Sequence, residues 1–352
     1  MMKKMIIPIL LCSALFWVCS PPAAVSLQIM KPAEINLPGI KKIAIVDFQG
    51  PERSGSQIAT LLQSYLMQSD YFEIMERDQL KRILDEQNLG MSGVVDETSA
   101  VQVGRLLGVD AMLFGEATSY EVEPDERGTE KVEDKVGTGK YEEVDEKNIF
   151  TGKTRKVKKE IMKTVLVDRH YRIRRGTVAI NFRVVSVESG VLLAVESESK
   201  SYNSGKVIEG SYNTLKPQGE ILSDLSKSIC QKFARKIAPY YATEKRYIEP
   251  GKNEIGAGKK YAESGLWPEA KDAWMRAIQV MPNEPAGYYN LGVAYEMEGD
   301  LEEAEIYYKK ALSVKQDKRY MDAVRRIRSA QEDQRKLEQQ MMDKNGDDEL
   351  NN

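Results

Sequence analysis

Cysteine and histidine are scarce in this sequence of 352 residues, which contains 3 cysteines and 1 histidine. Cys12 and Cys19 fall in the apolar N-terminal run, so Cys230 remains alone and no disulfide framework can form. Cys230 stands among apolar residues at helical spacing, which predicts a buried structural thiol. His170 has no partner nearby in the sequence for acid–base catalysis, and we expect it at an exposed strand position.

The sequence also lacks clustered metal ligands, a phosphate-binding glycine loop and a nucleophile motif. Gly137-Thr-Gly139-Lys140 resembles the end of such a loop, but the preceding glycine and the strand-to-helix context are missing. Asp47, Glu76 and Asp110 fit turns and helix caps. We therefore expect no enzyme, no catalytic residue, no cofactor and no metal. With 51 basic and 54 acidic residues the chain has a net charge of −3, which argues against nucleic acid as a partner.

The N-terminus has the pattern of an export signal. Two lysines precede an apolar run over 5–19 that is too short for a comfortable membrane span. We expect a signal peptide over 1–26 with cleavage after Ser26, or lipidation of Cys19, although Phe16-Trp-Val18 departs from the usual residues before a lipidated cysteine. An uncleaved anchor is the third alternative. Lipidation would attach the protein to one membrane leaflet.

Apolar alternation predicts an α/β domain over 41–241, in which helices cover a mixed sheet, after a linker over 27–40. Val178, Ile180, Phe182 and Val184 share one face of a strand and are expected to face the core. The predicted strands cover 41–48, 71–75, 109–118, 177–187 and 191–202. The predicted helices cover 58–66, 78–89, 96–107 and 218–241.

A strongly charged insert over 121–176 interrupts this domain. Residues 121–146 contain 11 acidic and 4 basic side chains, whereas residues 147–175 contain 11 basic and 2 acidic ones. A hairpin that turns near Thr151-Gly152 would place an acidic strand against a basic one, stabilised by cross-strand charge pairs. A disordered charged loop is the alternative for the outer part.

Small and aromatic residues recur with a period of 34 residues after position 251. Gly258, Trp274 and Ala277 return as Gly292, Tyr308 and Ala311. This pattern predicts an all-α domain of two tetratricopeptide repeats over 251–317, a polar capping helix over 318–342 and a disordered tail over 343–352.

The first helices of these repeats present a candidate surface for a protein partner. We expect it to hold an extended peptide or a partner's helix, unless two repeats only pack against themselves or dock on the first domain. The candidate residues are Lys259, Glu263, Tyr289, Val293 and Glu296.

Seven short segments of the first domain follow one another in a distinctive order and spacing. These segments are 42–48, 71–77, 86–87, 92–93, 107–110, 114–115 and 183–190. Between Lys41 and Tyr202, with a looser fit through the Cys230 helix, they resemble the curli-secretion (CsgG-type) lipoprotein family. The resemblance implies a periplasmic domain anchored through a lipidated cysteine and assembled into a homo-oligomeric ring. It also implies two β-hairpins per subunit that insert into the outer membrane.

The charged insert lies where the resemblance implies the first membrane hairpin. Such a hairpin needs apolar residues at every second position over about ten residues per strand. Neither the insert nor Ser201–Gly219, the place of the second hairpin, shows this alternation. We therefore expect a periplasmic scaffold, associated with the outer membrane of a Gram-negative-type bacterium, that acts by protein contacts in an envelope or surface-export system. The alternative is an oligomeric outer-membrane secretion channel of the curli type.

Overall fold

The computed structural model describes residues 24–76, 97–147 and 152–345. Several sequence predictions lie outside these residues: Cys19 and most of the signal, the helix over 78–89, and the tail after 345. The chain divides into two compact units. Among the described residues, the sheet unit comprises those of Pro32–Tyr240 and those from Gln339, and the helical unit comprises Tyr241–Glu338 and those up to Lys31.

The described residues form ten strands and eight helices. The strands are β1 (Ala24–Lys31), β2 (Lys42–Ile45), β3 (Glu73–Ile74), β4 (Ala111–Val122), β5 (Glu126–Lys147), β6 (Thr154–Ile173), β7 (Arg175–Ser186), β8 (Leu192–Asn203), β9 (Val207–Ile208) and β10 (Tyr240–Tyr247). The helices are α1 (Ser54–Ser69), α2 (Glu97–Leu107), α3 (Gln218–Ile237), α4 (Asn253–Glu263), α5 (Trp267–Val280), α6 (Pro285–Glu298), α7 (Leu301–Val314) and α8 (Lys318–Asn345). None of the helices in the described ranges combines the length and hydropathy needed to span a membrane.

A five-stranded mixed sheet is the centre of the sheet unit. Its order is β3-β2-β4-β7-β8, with β2 parallel to β3 and β4, and with antiparallel pairing from β4 to β8. Helices α1 and α3 bury their apolar faces on one side, and α2 packs on the other. This mixed α/β architecture agrees with the fold class predicted from the sequence.

The predicted alternation in β7 is confirmed by the core. Val178, Ile180, Phe182 and Val184 are all fully buried on the side that faces α1 and α3. Phe182 stacks on Phe233 of α3 with ring centroids 4.0 Å apart. One strand residue and one helix residue therefore connect the two layers directly.

Two predicted boundaries are wrong in the connecting segments. The helix predicted over 218–241 ends at Ile237, and Ala238 is extended. The next residue is Pro239, and the residue before a proline is disfavoured in the α conformation. The linker predicted over 27–40 contains most of β1, which pairs with β10 in a two-stranded sheet.

The helical unit contains two helical hairpins, α4–α5 and α6–α7, related by the period of 34 residues. Gly258 lies against the indole of Trp274, and Gly292 lies against the ring of Tyr308. Both aromatic residues are fully buried. The recurring glycines therefore permit a close helix–helix approach that an added Cβ would obstruct.

The helix predicted as a cap over 318–342 continues to Asn345, so the first residues of the predicted tail are helical. Tyr320, Ala323 and Ile327 pack in the core of the helical unit. The segment has few apolar residues, but they fall at helical spacing, which explains why a polar sequence still packs.

Candidate functional site

The charged insert folds as a long antiparallel hairpin of β5 and β6. Pairing runs from Glu126↔Ile173 to Lys147↔Thr154, with one register shift between Gly137 and Tyr141. At a rise of about 3.3 Å per residue, strands of this length extend for roughly 65 Å. The insert is therefore a strand hairpin over its described residues.

Acidic and basic residues face each other across the outer part of the hairpin, as the sequence predicts. Glu142, Glu143, Asp145 and Glu146 lie opposite Lys159, Lys158, Lys156 and Arg155. The side chains of Arg155 and Glu146 are 2.7 Å apart, and those of Lys156 and Glu143 are 3.8 Å apart. The hydrogen bond from Arg155 lowers the pKa of Glu146. Because these pairs are exposed, each contributes little to stability.

One face of the hairpin, here called the valine face, does alternate. Its apolar side chains are Val132, Val136, Val144, Val157, Ile161, Val165, Val167, Tyr171 and Ile173. Charged side chains stand between them: those on β5 are acidic, such as Glu130 and Asp134, and those on β6 are basic, such as Arg169. The sequence prediction that the insert lacks alternation is therefore corrected for this face, on which charge interrupts the apolar row.

Both long edges of the hairpin are open over most of their length. β5 is an edge strand of its three-stranded sheet, and β6 pairs with β9 only at Tyr171 and Arg172. Within the described part of the chain no further strand pairs with either one. An open edge presents unpaired backbone N–H and C=O groups that another strand can use.

The base of the hairpin is held by a partly buried ion pair that the sequence analysis missed. Arg174 donates two hydrogen bonds to Asp125, at 2.7 and 2.9 Å, and a third to the carbonyl oxygen of Lys216 at 2.9 Å. The bond from Arg174 lowers the pKa of Asp125. Both residues lay within the charge counts of the insert, and their separation of 49 positions gave no local signal.

The segment at the place of the second hairpin, 201–219, is short and stays near this base. It completes β8, contributes β9 and forms one turn of 3-10 helix over Tyr212–Thr214. These elements do not form a long strand hairpin within 201–219, a segment in which the sequence shows no lipid-facing alternation.

The five candidate residues of the helical unit separate into two groups. Lys259 and Glu263 lie on α4 and form an i,i+4 ion pair at 3.7 Å that is partly exposed. Tyr289, Val293 and Glu296 on α6 are buried and contact the chain's own residues. The structure thus leaves the α4 pair accessible and fills the α6 part of the predicted surface.

Residues of β10 and of the segment that follows it cover this part of α6. Arg246 donates to Glu296 at 2.7 Å, and Glu296 also accepts from the Tyr308 hydroxyl at 2.7 Å and from Arg326 at 3.1 Å. The side chain of Glu296 is only 2 % exposed. Sequence reasoning missed Arg246 and Arg326 as the partners of Glu296, because 50 and 30 positions separate them from it. Arginine side chains also lie mostly on the surface, so neither was expected in a buried ion pair.

Comparison with known proteins supports part of the predicted resemblance. Residues 47–216 match the family described as curli production assembly/transport component CsgG. The sheet unit with its hairpin is therefore CsgG-like over that range, as the sequence motifs indicated. Residues 256–341 match a domain of unknown function, DUF6340, so the tetratricopeptide assignment is not confirmed. No curated protein matches the chain.

The solved structures that match this chain share little sequence identity with it and have low TM-scores. The PelC dodecamer from Paraburkholderia phytofirmans is 11% identical with a TM-score of 0.28, covering 61% of this chain and 98% of that one. Lipoprotein GNA1162 from Neisseria meningitidis is 14% identical with a TM-score of 0.31, covering 55% and 98%. The LpoB C-terminal domain from Salmonella enterica is 10% identical with a TM-score of 0.27, covering 48% and 87%.

Proposed function

We propose that this protein is an exported scaffold of an envelope assembly or transport system, and that copies of it associate through the charged hairpin. The match of residues 47–216 to an assembly and transport family supports the class of process. The observation that carries the proposal is the pair of open hairpin edges with opposite charge. An acidic β5 of one copy complements a basic β6 of the next, whereas like strands repel.

This arrangement is head-to-tail, since two different edges meet. Head-to-tail contacts form a ring when the rotation between copies closes and a filament when it does not. We favour a ring, because the CsgG-type resemblance implies one. The edges are matched along the outer rungs, where Glu142, Glu143 and Asp145 stand opposite three lysines. Pairing between two copies would use the same acid–lysine pairs that already form within one hairpin.

The proposal includes export and a lipid anchor at Cys19. β1 begins at Ala24, so cleavage after Ser26 would remove the start of that strand, whereas processing at Cys19 leaves the strand complete. Replacement of Cys19 by Ser should release the protein from membranes into the soluble fraction. Unchanged membrane retention of Cys19→Ser would contradict the anchor.

We also assign the two helical hairpins to the tetratricopeptide type within this proposal. The period of 34 residues and the repeated packing of glycine against an aromatic ring support the assignment. Since the chain itself fills the α6 surface, a partner of the helical unit would contact the exposed α4 side near Lys259 and Glu263. No reaction is proposed for either unit.

Charge reversal tests association through the hairpin. In one variant Glu142, Glu143 and Asp145 become Lys, and in the other Lys156, Lys158 and Lys159 become Glu. Light scattering coupled to size exclusion should show that the wild type from Ala24 onwards is oligomeric and that each variant alone is smaller. An equimolar mixture of the two should associate again, because each then offers the charge that the other lacks.

A matched control reverses three exposed acids of the helical unit, Glu269, Glu284 and Glu302, to Lys. This control should keep the wild-type mass. A monomeric wild type, or reversal variants that stay fully assembled, would contradict the proposal. A detergent-requiring ring that conducts ions across a lipid bilayer would instead favour the secretion-channel alternative.

A further inference from the structure

Two arginines stand directly opposite each other at the base of the hairpin. Arg127 and Arg172 are partners in the register of β5 and β6, so their side chains project on the same face, opposite to the valine face. Like charges in this position are destabilising. Asp125 interacts electrostatically with both guanidinium groups, but it already forms an ion pair with Arg174. Within the described ranges no ion pair joins Arg127 or Arg172 to a carboxylate.

These arginines line an open cleft of about 420 Å³ at the junction of β5, β6 and the turn after β9. The guanidinium carbon of Arg172 lies 4.3 Å from the centre of the Tyr212 ring, so the aromatic ring holds that cation in place. Thr129 and His170 form the next rung, with the hydroxyl 2.9 Å from Nδ1 of the imidazole. The peptide N–H of Glu209 donates to the carbonyl oxygen of His170 at 2.8 Å. This bond holds the segment after β9, which lines the cleft, against β6.

The charge of the cleft selects among anions. Two guanidinium groups bring two positive charges, and Glu209, another residue that lines the cleft, brings one negative charge. A single uncompensated positive charge suits one carboxylate, which a guanidinium group binds through two parallel hydrogen bonds. A phosphate dianion would exceed this single positive charge by one. The volume lies in the range of ligand sites and exceeds that of a bare ion.

We propose that this cleft binds an acidic peptide segment of a partner protein, with one side-chain carboxylate bridging Arg127 and Arg172. The peptide backbone then lies beside Tyr212 and Thr129, which offer a ring face and a hydroxyl. The site uses the face and the base of the hairpin, not its outer edges. Peptide binding is therefore separable from the association of copies proposed above, and either can fail without the other.

His170 provides a specific probe because the sequence contains no other histidine. In untagged protein from Ala24 onwards, its imidazole proton signals in nuclear magnetic resonance report on this cleft alone. Titration with the capped peptide Ac-Gly-Glu-Gly-NH2 should produce a saturable shift of these signals. The neutral match Ac-Gly-Gln-Gly-NH2 should bind at least about tenfold more weakly, because it lacks the charge-assisted bonds.

Two substitutions and one control complete the test. Arg127→Ala should weaken binding of the glutamate peptide by about tenfold or more, and Arg172→Lys should weaken it less, since lysine keeps the charge but loses the paired bonds. Arg183→Ala combined with Arg235→Ala removes two arginines from elsewhere on the sheet unit and should leave binding unchanged. Because Arg172→Lys preserves charge and length, it keeps the test valid if Arg127→Ala fails to fold.

Three results would overturn the proposal. The first is the absence of a saturable His170 shift with the glutamate peptide. The second is equal binding of the glutamate and glutamine peptides. The third is tighter binding of inorganic phosphate, or of vesicles containing phosphatidylglycerol, than of the glutamate peptide, which would assign the site to a phosphate or a lipid surface instead.

Discussion

The side-chain amide of Asn290 forms two hydrogen bonds with the backbone of Glu249. The peptide N–H of Glu249 donates to Oδ1 at 2.8 Å, and Nδ2 donates to the Glu249 carbonyl oxygen at 3.0 Å. The Glu249 carboxylate accepts from the Tyr320 hydroxyl at 2.7 Å. Two bonds to one residue are what a neighbouring β-strand would supply. The segment that enters the helical repeats is therefore bound on the surface where a partner's peptide was expected.

Removal of this amide should weaken the helical unit. Asn290 is fully buried, so Asn290→Ala leaves a peptide N–H and a carbonyl without their partner. The expected loss in the free energy of unfolding is about 2–3 kcal/mol. Urea titration followed by circular dichroism measures it. Asn283, which is exposed on the preceding turn, provides the control: Asn283→Ala should change stability by less than about 0.5 kcal/mol.

Glu296 should be more costly to neutralise, and its effect should depend on pH. Burial by itself raises the pKa of Glu296, but the hydrogen bond from Arg246 and the charges of Arg246 and Arg326 outweigh it and hold the pKa below the ordinary value of 4.5. Glu296→Gln leaves Arg326 without its anion, while Arg246 keeps its 2.7 Å ion pair with Glu244. We expect a loss of about 2–4 kcal/mol at pH 7.

The sign of the pH dependence follows from the lowered pKa. A carboxylate that is more acidic in the folded state stabilises it fully above pH 4.5 and loses that contribution as the pH falls through the folded value. Unfolding free energies of the wild type and Glu296→Gln should therefore differ by a constant amount from pH 7 to pH 5 and converge below it. A difference that stays unchanged down to pH 3 would contradict this account.

Local patterns in the sequence predicted those parts of the fold that depend on neighbours along the chain. The β7 core row, the charge separation of the hairpin and the period of the helical hairpins are all visible within a few tens of residues. The anchoring of Glu249 by Asn290 and of Asp125 by Arg174 is not, because 41 and 49 positions separate the partners. Tyr289, Val293 and Glu296, which the sequence predicted on an open partner surface, are instead buried against the chain's own residues. The chain segment that covers them had no sequence signal.

The hairpin base offers a comparison of a partly buried and an exposed ion pair on adjacent residues. Asp125 and Arg174 are 10% and 17% exposed, whereas Glu126 and Arg175 are 47% and 39% exposed at the same separation of 2.7 Å. Asp125→Asn should lower stability by about 2–4 kcal/mol, because a largely buried guanidinium group loses its charged partner. Glu126→Gln should cost about 0.5 kcal/mol or less.

Hydrogen exchange locates this effect. In Asp125→Asn, amides at the base of β5 and β6 should exchange faster than in the wild type, while those of β7 in the central sheet change less. Equal destabilisation by the two substitutions would show that burial of the Arg174 pair is not what holds the base.

The two repeated glycines should respond alike to alanine. A Cβ at Gly258 would lie 2.4 Å from the Trp274 indole nitrogen, and one at Gly292 would lie 2.6 Å from the Tyr308 ring. Each substitution forces the helices of its hairpin apart, at an expected cost of about 1–3 kcal/mol. Gly219→Ala is the control, because nothing lies within 4 Å of its added Cβ, and it should be neutral or slightly stabilising. Thermal unfolding of the three variants measures the contrast, and unchanged stability of both repeat variants would remove the physical basis for the glycine period.

Cys230 should report on the opening of the sheet unit. Burial raises the pKa of its thiol to about 12, so at pH 8 the folded protein holds almost no reactive thiolate. In protein from Ala24 onwards it is the remaining cysteine, and iodoacetamide should modify it at the rate at which the core exposes it. An internal control is Ser199→Cys on exposed β8, which should react promptly under the same conditions. Peptide mapping by mass spectrometry separates the two sites. Equal labelling rates at 199 and 230 in the native state would contradict the buried thiol, whereas a Cys230 rate that rises with urea in step with unfolding would make this residue a direct measure of the stability of the sheet unit.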